Sequence, residues 1–419
     1  MKTEAASAPL PRQASAPRAK PAFFERALCA RLEQLAHGRL VLEWRGARAT
    51  FGTAVAGQLE AEVHVLDERF FAATALRGSV GAGEAYARGW WTSPAPATVV
   101  RLFVRNRAAL TGLEGGLARL ARPVLAVAHA LRRNTRSGSR ANIAAHYDLS
   151  NGFFALFLDE TMTYSCGLFE RPESTLKEAS LAKIDRLCKR LELSSRDHLL
   201  EIGTGWGAFA LHAAREYGCR VTTTTISKEQ HALAAERIAA AGLEERVTLL
   251  QRDYRDLEGT YDKLVSVEMI EAVGHQYFGT FFETCARLLA PEGRMALQAI
   301  TIADPLYDEA RRSVDFIQAC IFPGSCIPSV SALVSAAARS SDLVLDELSE
   351  LGPHYVRTLA AWRANLRANW ARARAQGVSE EQLRLFEFYF AYCEGGYAEG
   401  QLGNVQMRFA RPGARRVGP

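Results

Sequence analysis

The sequence predicts a doubly wound, mostly parallel α/β sheet preceded by a smaller α+β unit. Two observations carry this. From about Ala141, short apolar strand patterns alternate with helical patterns to about Ile300. Between the first of these strands and its helix lies LLEIGTGWGAFAL, a glycine-rich turn that lets a ligand approach the backbone at a helix N-terminus.

Taken in order, residues 1–20 are rich in Ala, Pro and Ser and have no continuous apolar stretch. They predict a disordered lead and not a secretory signal. Residues 21–125 read as a small domain. FFERALCARLEQLA has helical apolar spacing, RLVLEWRGARATFG reads as two strands around Arg45–Gly46, and EAEVHVLD alternates as a strand. In GSVGAGEAYARGWW the glycines suit tight turns or close backbone approach. The paired Trp90 and Trp91 fit a packing module or a lipid-contact surface. Residues 126–140 end in Arg132, Arg133, Arg136 and Arg140, a basic linker beside an apolar stretch. That juxtaposition suits a membrane-surface helix or a solvated connection.

The catalytic portion is expected over 141–419. TLKEASLAKIDRLCKRLEL carries a Thr175/Glu178 capping box and a helical apolar stripe. DHLLEIG, CRVTTTTI, RVTLLQ, YDKLVSVEM and GRMALQAI are strand candidates. FALHAAREYG, KEQHALAAERIAAAG and YFGTFFETCARLL are the helices between them.

Composition narrows the function classes. The 419 residues are 48% hydrophobic, enough for a sizeable core, and no apolar run reaches the roughly 18 residues of a bilayer span. With 51 basic against 46 acidic residues, the net charge of +5 does not call for nucleic acid. Attraction to anionic lipid stays open. None of the eight cysteines forms a CxxC pair, so no metal site is expected and the thiols read as reduced and mostly buried.

The glycine turn alone is compatible with a nicotinamide dinucleotide. That reading needs an acid at the end of the second strand, where this chain has Thr222–Thr225, Ile226 and Ser227. Its acid is Glu201, just before the first glycine, and the E-x-G-x-G-x-G order resembles S-adenosylmethionine-dependent methyltransferases. Further stretches agree: AAHYDLSNGFFALFLDETMTYSCGLFE, VTTTTISKEQ, LQRDYRDL, VSVEMIEAVGHQYF, IFPGSCIPS and PHYVRTLAAW. Together, in this order, they resemble the cyclopropane fatty acid synthase family over about Ala141 to Ala410.

That resemblance implies a Rossmann-like class I methyltransferase with an antiparallel C-terminal strand. It implies methyl transfer from S-adenosylmethionine to the cis double bond of a phospholipid acyl chain, then proton loss that closes a cyclopropane. It places Tyr164, Ser165, Gly203, Gly205, Thr225, Gln230, Asp253 and Tyr254 around the donor, with His146 and Asp148 ordering a loop over it. A carboxylate or thiolate touching the transient carbocation risks alkylation, and relatives use a bound bicarbonate ion as the base. By resemblance Cys166, Glu271, the Ile300 amide and Tyr355 hold that ion, so Cys166 is a ligand and not a nucleophile.

Two departures bear on the product. Gln298 stands where the family usually has a histidine, and Ala272 follows the key Glu271 where a histidine is frequent. Glutamine can hydrogen-bond bicarbonate but cannot relay a proton. Deprotonation at a neighbouring chain carbon would give a methyl-branched alkene, and small-amine N-methylation is a third reading. Phe153, Phe154, Phe157 and Leu158 suit either an acyl channel or the core. Arg311, Arg312, Arg363, Arg367, Arg372 and Arg374 suit phosphate head groups or solvent. The expected setting is cytoplasmic, at the inner membrane face, with unsaturated phospholipid as partner and a homodimer built through the N-terminal unit.

Overall fold

The computed structural model describes residues 23–55, 57–107 and 150–414. The expected lead, the basic linker, His146 and Asp148 lie outside these residues.

The first unit is a four-stranded sheet in the order β2-β1-β3-β4, formed by β1 (Arg39–Trp44), β2 (Ala47–Gly52), β3 (Glu60–Val65) and β4 (Trp91–Thr92). The β1–β2 hairpin turns at Arg45 and Gly46, both with positive φ, as the sequence indicates. Of the two expectations for the GSVGAG segment, close approach holds and a turn between elements does not. The segment lies within a helix, Arg69–Ala87, interrupted where Gly78 leaves helical geometry at φ 55 and ψ −131. The downstream glycines serve close approach: a Cβ on Gly83 would sit 2.2 Å from the Phe316 ring.

The second unit is a seven-stranded sheet in the order β10-β11-β9-β8-β5-β6-β7. It contains β5 (His198–Ile202), β6 (Arg220–Thr224), β7 (Val247–Leu250), β8 (Tyr261–Val267), β9 (Leu289–Ile302), β10 (Val344–Glu350) and β11 (Leu402–Ala410). The strands from β5 to β9 pair in parallel, and β11 runs antiparallel between β9 and β10. β5 thus lies between β6 and β8, which makes its C-terminal end the switch point where ligands bind in such sheets. The capping box on the preceding helix, Leu176–Arg190, is complete: Thr175 accepts from the Glu178 amide while Glu178 accepts from the Thr175 amide.

The two units share one core. Leu28, Leu40 and Phe70 from the first belong to the same buried cluster as Phe157, Trp362 and Phe390 from the second. The joining element is the helix Glu380–Ala398, whose ends are fixed by a capping box at Ser379 and by Glu399, which accepts from Arg101 and Arg105. Midway, the buried Glu387 accepts from the Tyr86 hydroxyl at 2.8 Å and pairs with Arg367. Phe388 stacks on Tyr86 at 5.0 Å and meets Trp91 and Phe316 edge-on. Among the described residues no helix is long and apolar enough to cross a membrane.

Because Phe388 fills the seam, Phe388→Ala is expected to destabilise the whole protein by about 3–5 kcal/mol. Urea unfolding followed by fluorescence checks this, and loss of a single cooperative transition would show instead that the units separate.

Candidate active site

The glycine turn follows directly from the end of β5. Gly203 (φ 103) and Gly205 (φ 54) occupy the left-handed region that side chains disfavour. A Cβ on Gly203 would lie 3.3 Å from Met269, whereas the space above Gly205 is open for 4 Å. At the end of β6 the Thr225 hydroxyl donates to Gln230 Oε1 at 2.9 Å. Past β7, Asp253 is clamped by Arg255 through hydrogen bonds of 2.8 and 2.6 Å, beside Tyr254. Ser165 Oγ accepts from the fully buried Lys183 at 2.7 Å. All eight residues expected around the donor line one cavity of about 590 Å³. A glycine cradle, a buried hydroxyl–amide pair and an acid–aromatic edge suit an adenosyl group carrying a methionine end.

The same cavity continues past Glu268, Glu271, Ile300 and Tyr355 into the apolar interior of the first unit, where Leu28, Leu32, Leu42, Val63 and Phe70 line it. Its walls there are almost entirely hydrocarbon, the surface an acyl chain requires.

Between the donor region and the apolar end stands a group not singled out in the sequence. Glu268 is the first residue after β8 and has a positive φ of 48. Its Oε1 accepts from the Cys166 amide at 3.0 Å, from Gln298 Nε2 at 2.8 Å and from Asn404 Nδ2 at 2.7 Å. Its Oε2 accepts from the Tyr355 hydroxyl at 2.8 Å. The β9–β11 register brings these donors together by setting Gln298 opposite Gln406 and Ile300 opposite Asn404. Gln406 in turn donates to Gln298 Oε1 at 2.9 Å, which fixes the amide's orientation.

The residues expected around the anion are arranged differently here. Tyr355 and Gln298 bind the Glu268 carboxylate, and Cys166 meets it through its backbone and not its sulfur. Cys166 Sγ is fully buried and faces the carbonyls of Gly167 and Leu351, at 3.3 and 3.7 Å. Burial, then the charge of Glu268, pushes its thiol well above the usual range, so it is no nucleophile. Neither Cys166 nor Gln298 lines the cavity. The Ile300 amide donates to Glu271 Oε1 at 2.5 Å, so it too is occupied. A bicarbonate ion therefore does not fit these residues as they stand.

Glu271 differs from Glu268 in its surroundings. Its Oε2 is buried with no partner among the described residues, and burial first, then the charge of Glu268, pushes its carboxyl up to about 8. Glu201, buried beneath the glycine turn, is pushed up to about 8 by burial despite accepting from Thr223 at 2.6 Å.

Other expectations resolve toward packing. Phe153, Phe154, Phe157 and Leu158 are buried core residues that do not line the cavity. Trp91 is buried and donates to the Ala82 carbonyl, while Trp90 is half-buried with the Arg69 guanidinium over its ring at 4.5 Å. Arg363, Arg367 and Arg374 pair with Glu394, Glu387 and Glu380, and Arg311 pairs with Asp308 at the cavity edge. The signal that could have revealed Glu268 is the first of the two acids in VSVEMIEAVG, placed where β8 ends. Asn404 and Gln406 carry no local signal, because only the register of β11 brings them in.

Residues 134–407 match the family described as mycolic acid cyclopropane synthetase. The chain is 38% identical to tuberculostearic acid methyltransferase UfaA1 of Mycobacterium tuberculosis, over 80% of each chain. It is 35% identical to the cyclopropane-fatty-acyl-phospholipid synthase of Escherichia coli, over 86% of this chain and 90% of that one. Among solved structures it resembles mycolic acid cyclopropane synthase CmaA1 complexed with SAH and CTAB, with a TM-score of 0.61 and 34% identity. That match covers 65% of this chain and 98% of the other. The chain belongs to the mycolic acid cyclopropane synthetase family and is an S-adenosylmethionine-dependent methyltransferase of that family.

The two raised carboxyls set a pH dependence. In the unfolded chain each titrates near about 4.3, so between that value and about 8 the folded state binds more protons. Stability is full below this window and falls as pH rises through it. Thermal unfolding is expected at a lower midpoint at about pH 9 than at about pH 6, with a smaller drop in Glu201→Gln. Equal drops in both proteins would contradict the assignment.

Proposed function

We propose that this enzyme methylates the cis double bond of an unsaturated phospholipid acyl chain, with a cyclopropane as the leading product. The observation that carries this reading is the single cavity that joins the eight donor-side residues to an apolar interior, with two carboxyl groups between. When bound, S-adenosylmethionine supplies an electrophilic methyl carbon on a sulfonium.

The chain's own residues do the rest. The apolar end excludes water and aligns the alkene, so proximity contributes much of the rate. Tyr355, Tyr389 and Tyr397 present rings along the cavity, and their π faces stabilise positive charge on the acyl chain. A carboxylate between donor and acyl chain receives the proton that leaves. The roles expected for Tyr164, Ser165, Gly203, Gly205, Thr225, Gln230, Asp253 and Tyr254 remain donor binding. Glu271 is a neutral hydrogen-bonding group beside the reacting carbons. Lipid substrate implies work at a membrane surface, entered from the cytoplasmic side.

A second reading is methyl transfer without ring closure, giving a methyl-branched unsaturated chain. It is favoured by the 38% identity to a protein named for tuberculostearic acid methylation. Gln298 adds to this, because it replaces the expected histidine and is locked away from the cavity. Bicarbonate, the base expected from the resemblance, is tested by depleting it during the assay.

Incubation with S-adenosylmethionine and cis-vaccenoyl phospholipid is expected to add one CH2 per modified chain by mass spectrometry. Mild hydrogenation followed by NMR distinguishes ring from branched alkene, and methylation of small amines alone would overturn the lipid reading. Glu271→Ala is expected to lower turnover by about 100-fold, the scale of losing one positioned hydrogen-bonding group beside a reacting centre. Calorimetric affinity for S-adenosylhomocysteine should stay near that of the parent protein, and its loss would place Glu271 in the donor site instead.

A further inference from the structure

We propose that the carboxylate of Glu268 is the built-in anion of this active site, replacing a captured bicarbonate and accepting the proton lost after methyl transfer. The inference rests on the methyl-transfer reading above and deepens it.

The contacts support it first. Three of the groups that hold Glu268 belong to Cys166, Gln298 and Tyr355, the residues expected around the ion. A carboxylate presents the same O–C–O edge as bicarbonate. With Tyr355's single proton and the Cys166 amide directed at Glu268, a separate ion lacks those donors. The remaining expected donor, the Ile300 amide, is taken by Glu271.

The backbone supports it independently. Glu268 has a φ of 48, a region where a non-glycine residue costs on the order of 1–3 kcal/mol and which is concentrated at functional sites. The strained turn is held by its own amide, which donates to the Gln298 carbonyl at 2.8 Å. The turn aims the side chain into the cavity at the end of β8, where Glu268 is one of the lining residues.

Alkylation of the base is the hazard such a site must avoid. Oε1 accepts three hydrogen bonds, which fill its lone-pair directions, and it is not open to the cation. Oε2 has one donor, Tyr355, and is the atom left to receive a proton. The clamp from β9, β11, helix Gly352–Ala368 and the segment before Leu176 restrains the carboxylate from closing on carbon. In the step, a C–H bond of the cationic chain breaks. Its electron pair closes the new C–C bond of the ring, or a C=C bond in the branched product. The proton goes to Oε2, leaving neutral Glu268, neutral lipid and one proton to return to solvent. Glu271, held protonated to about 8, is not the acceptor at neutral pH.

The test compares the full-length protein with Glu268→Gln and Glu268→Gly, each assayed in carbon-dioxide-depleted buffer with and without added bicarbonate. The parent protein is expected to turn over at the same rate in both buffers. Glu268→Gln is expected to lose about 100-fold or more and to gain nothing from bicarbonate. Glu268→Gly, which suits the positive φ and vacates the carboxylate's place, is expected to lose as much and to recover with bicarbonate. A parent protein that needs bicarbonate overturns the proposal, as does a Glu268→Gln protein with the parent rate. S-adenosylhomocysteine binding reports folding of the variants; should a variant fail it, the parent's response to bicarbonate decides alone. A parent protein that methylates no lipid in either buffer overturns the function reading and not this one.

Discussion

One half-buried carboxylate, that of Glu268, ties this active site together. Glu268 receives hydrogen bonds from the segment at Cys166, from β9, from β11 and from the helix carrying Tyr355. These pieces are far apart in sequence, and their placement depends on one charge being satisfied. Hydrogen bonds to ionised groups contribute about 1.5–3 kcal/mol each, so losing one of them is costly. The donors therefore constrain the carboxylate, and the carboxylate constrains the antiparallel end of the sheet against the parallel part.

The constraint also sets apart the surroundings of two acids three residues apart. Glu268 has four donors, while Glu271 has one amide and an oxygen unpartnered among the described residues in the same low-dielectric space. The charge of the first adds to the burial of the second and holds Glu271 protonated. Two carboxyls with opposed environments are a general route to separate acid and base roles within one site.

Much of the fold was legible because it rests on local pattern. The alternation of strands and helices, the Thr175/Glu178 cap, the β1–β2 turn and the glycine turn are short-range features, and each appears where its residues predict. The helix through GSVGAG was not legible, since glycines argue against helix locally, although the close approach expected of them holds: Gly81 sits against the Ala73 carbonyl and Gly83 against the Phe316 ring. Most of the residues expected on the donor side follow the ends of the parallel strands β5, β6 and β7, which is a local feature of the sequence. The anion side was not legible, because Gln298, Asn404 and Gln406 converge through the pairing of β9 with β11. Cys166 lies beside Glu268, but its sulfur turns toward backbone carbonyls and only its amide meets the carboxylate.

The central claim is that the anion facing the reacting carbon belongs to the chain. A high-resolution crystal structure of the protein with S-adenosylhomocysteine, grown in saturating bicarbonate, tests it most directly. The account predicts that density between Tyr355, Gln298 and Asn404 is continuous with the Glu268 side chain. A separate trigonal ion in that place, with Glu268 turned away, would contradict it.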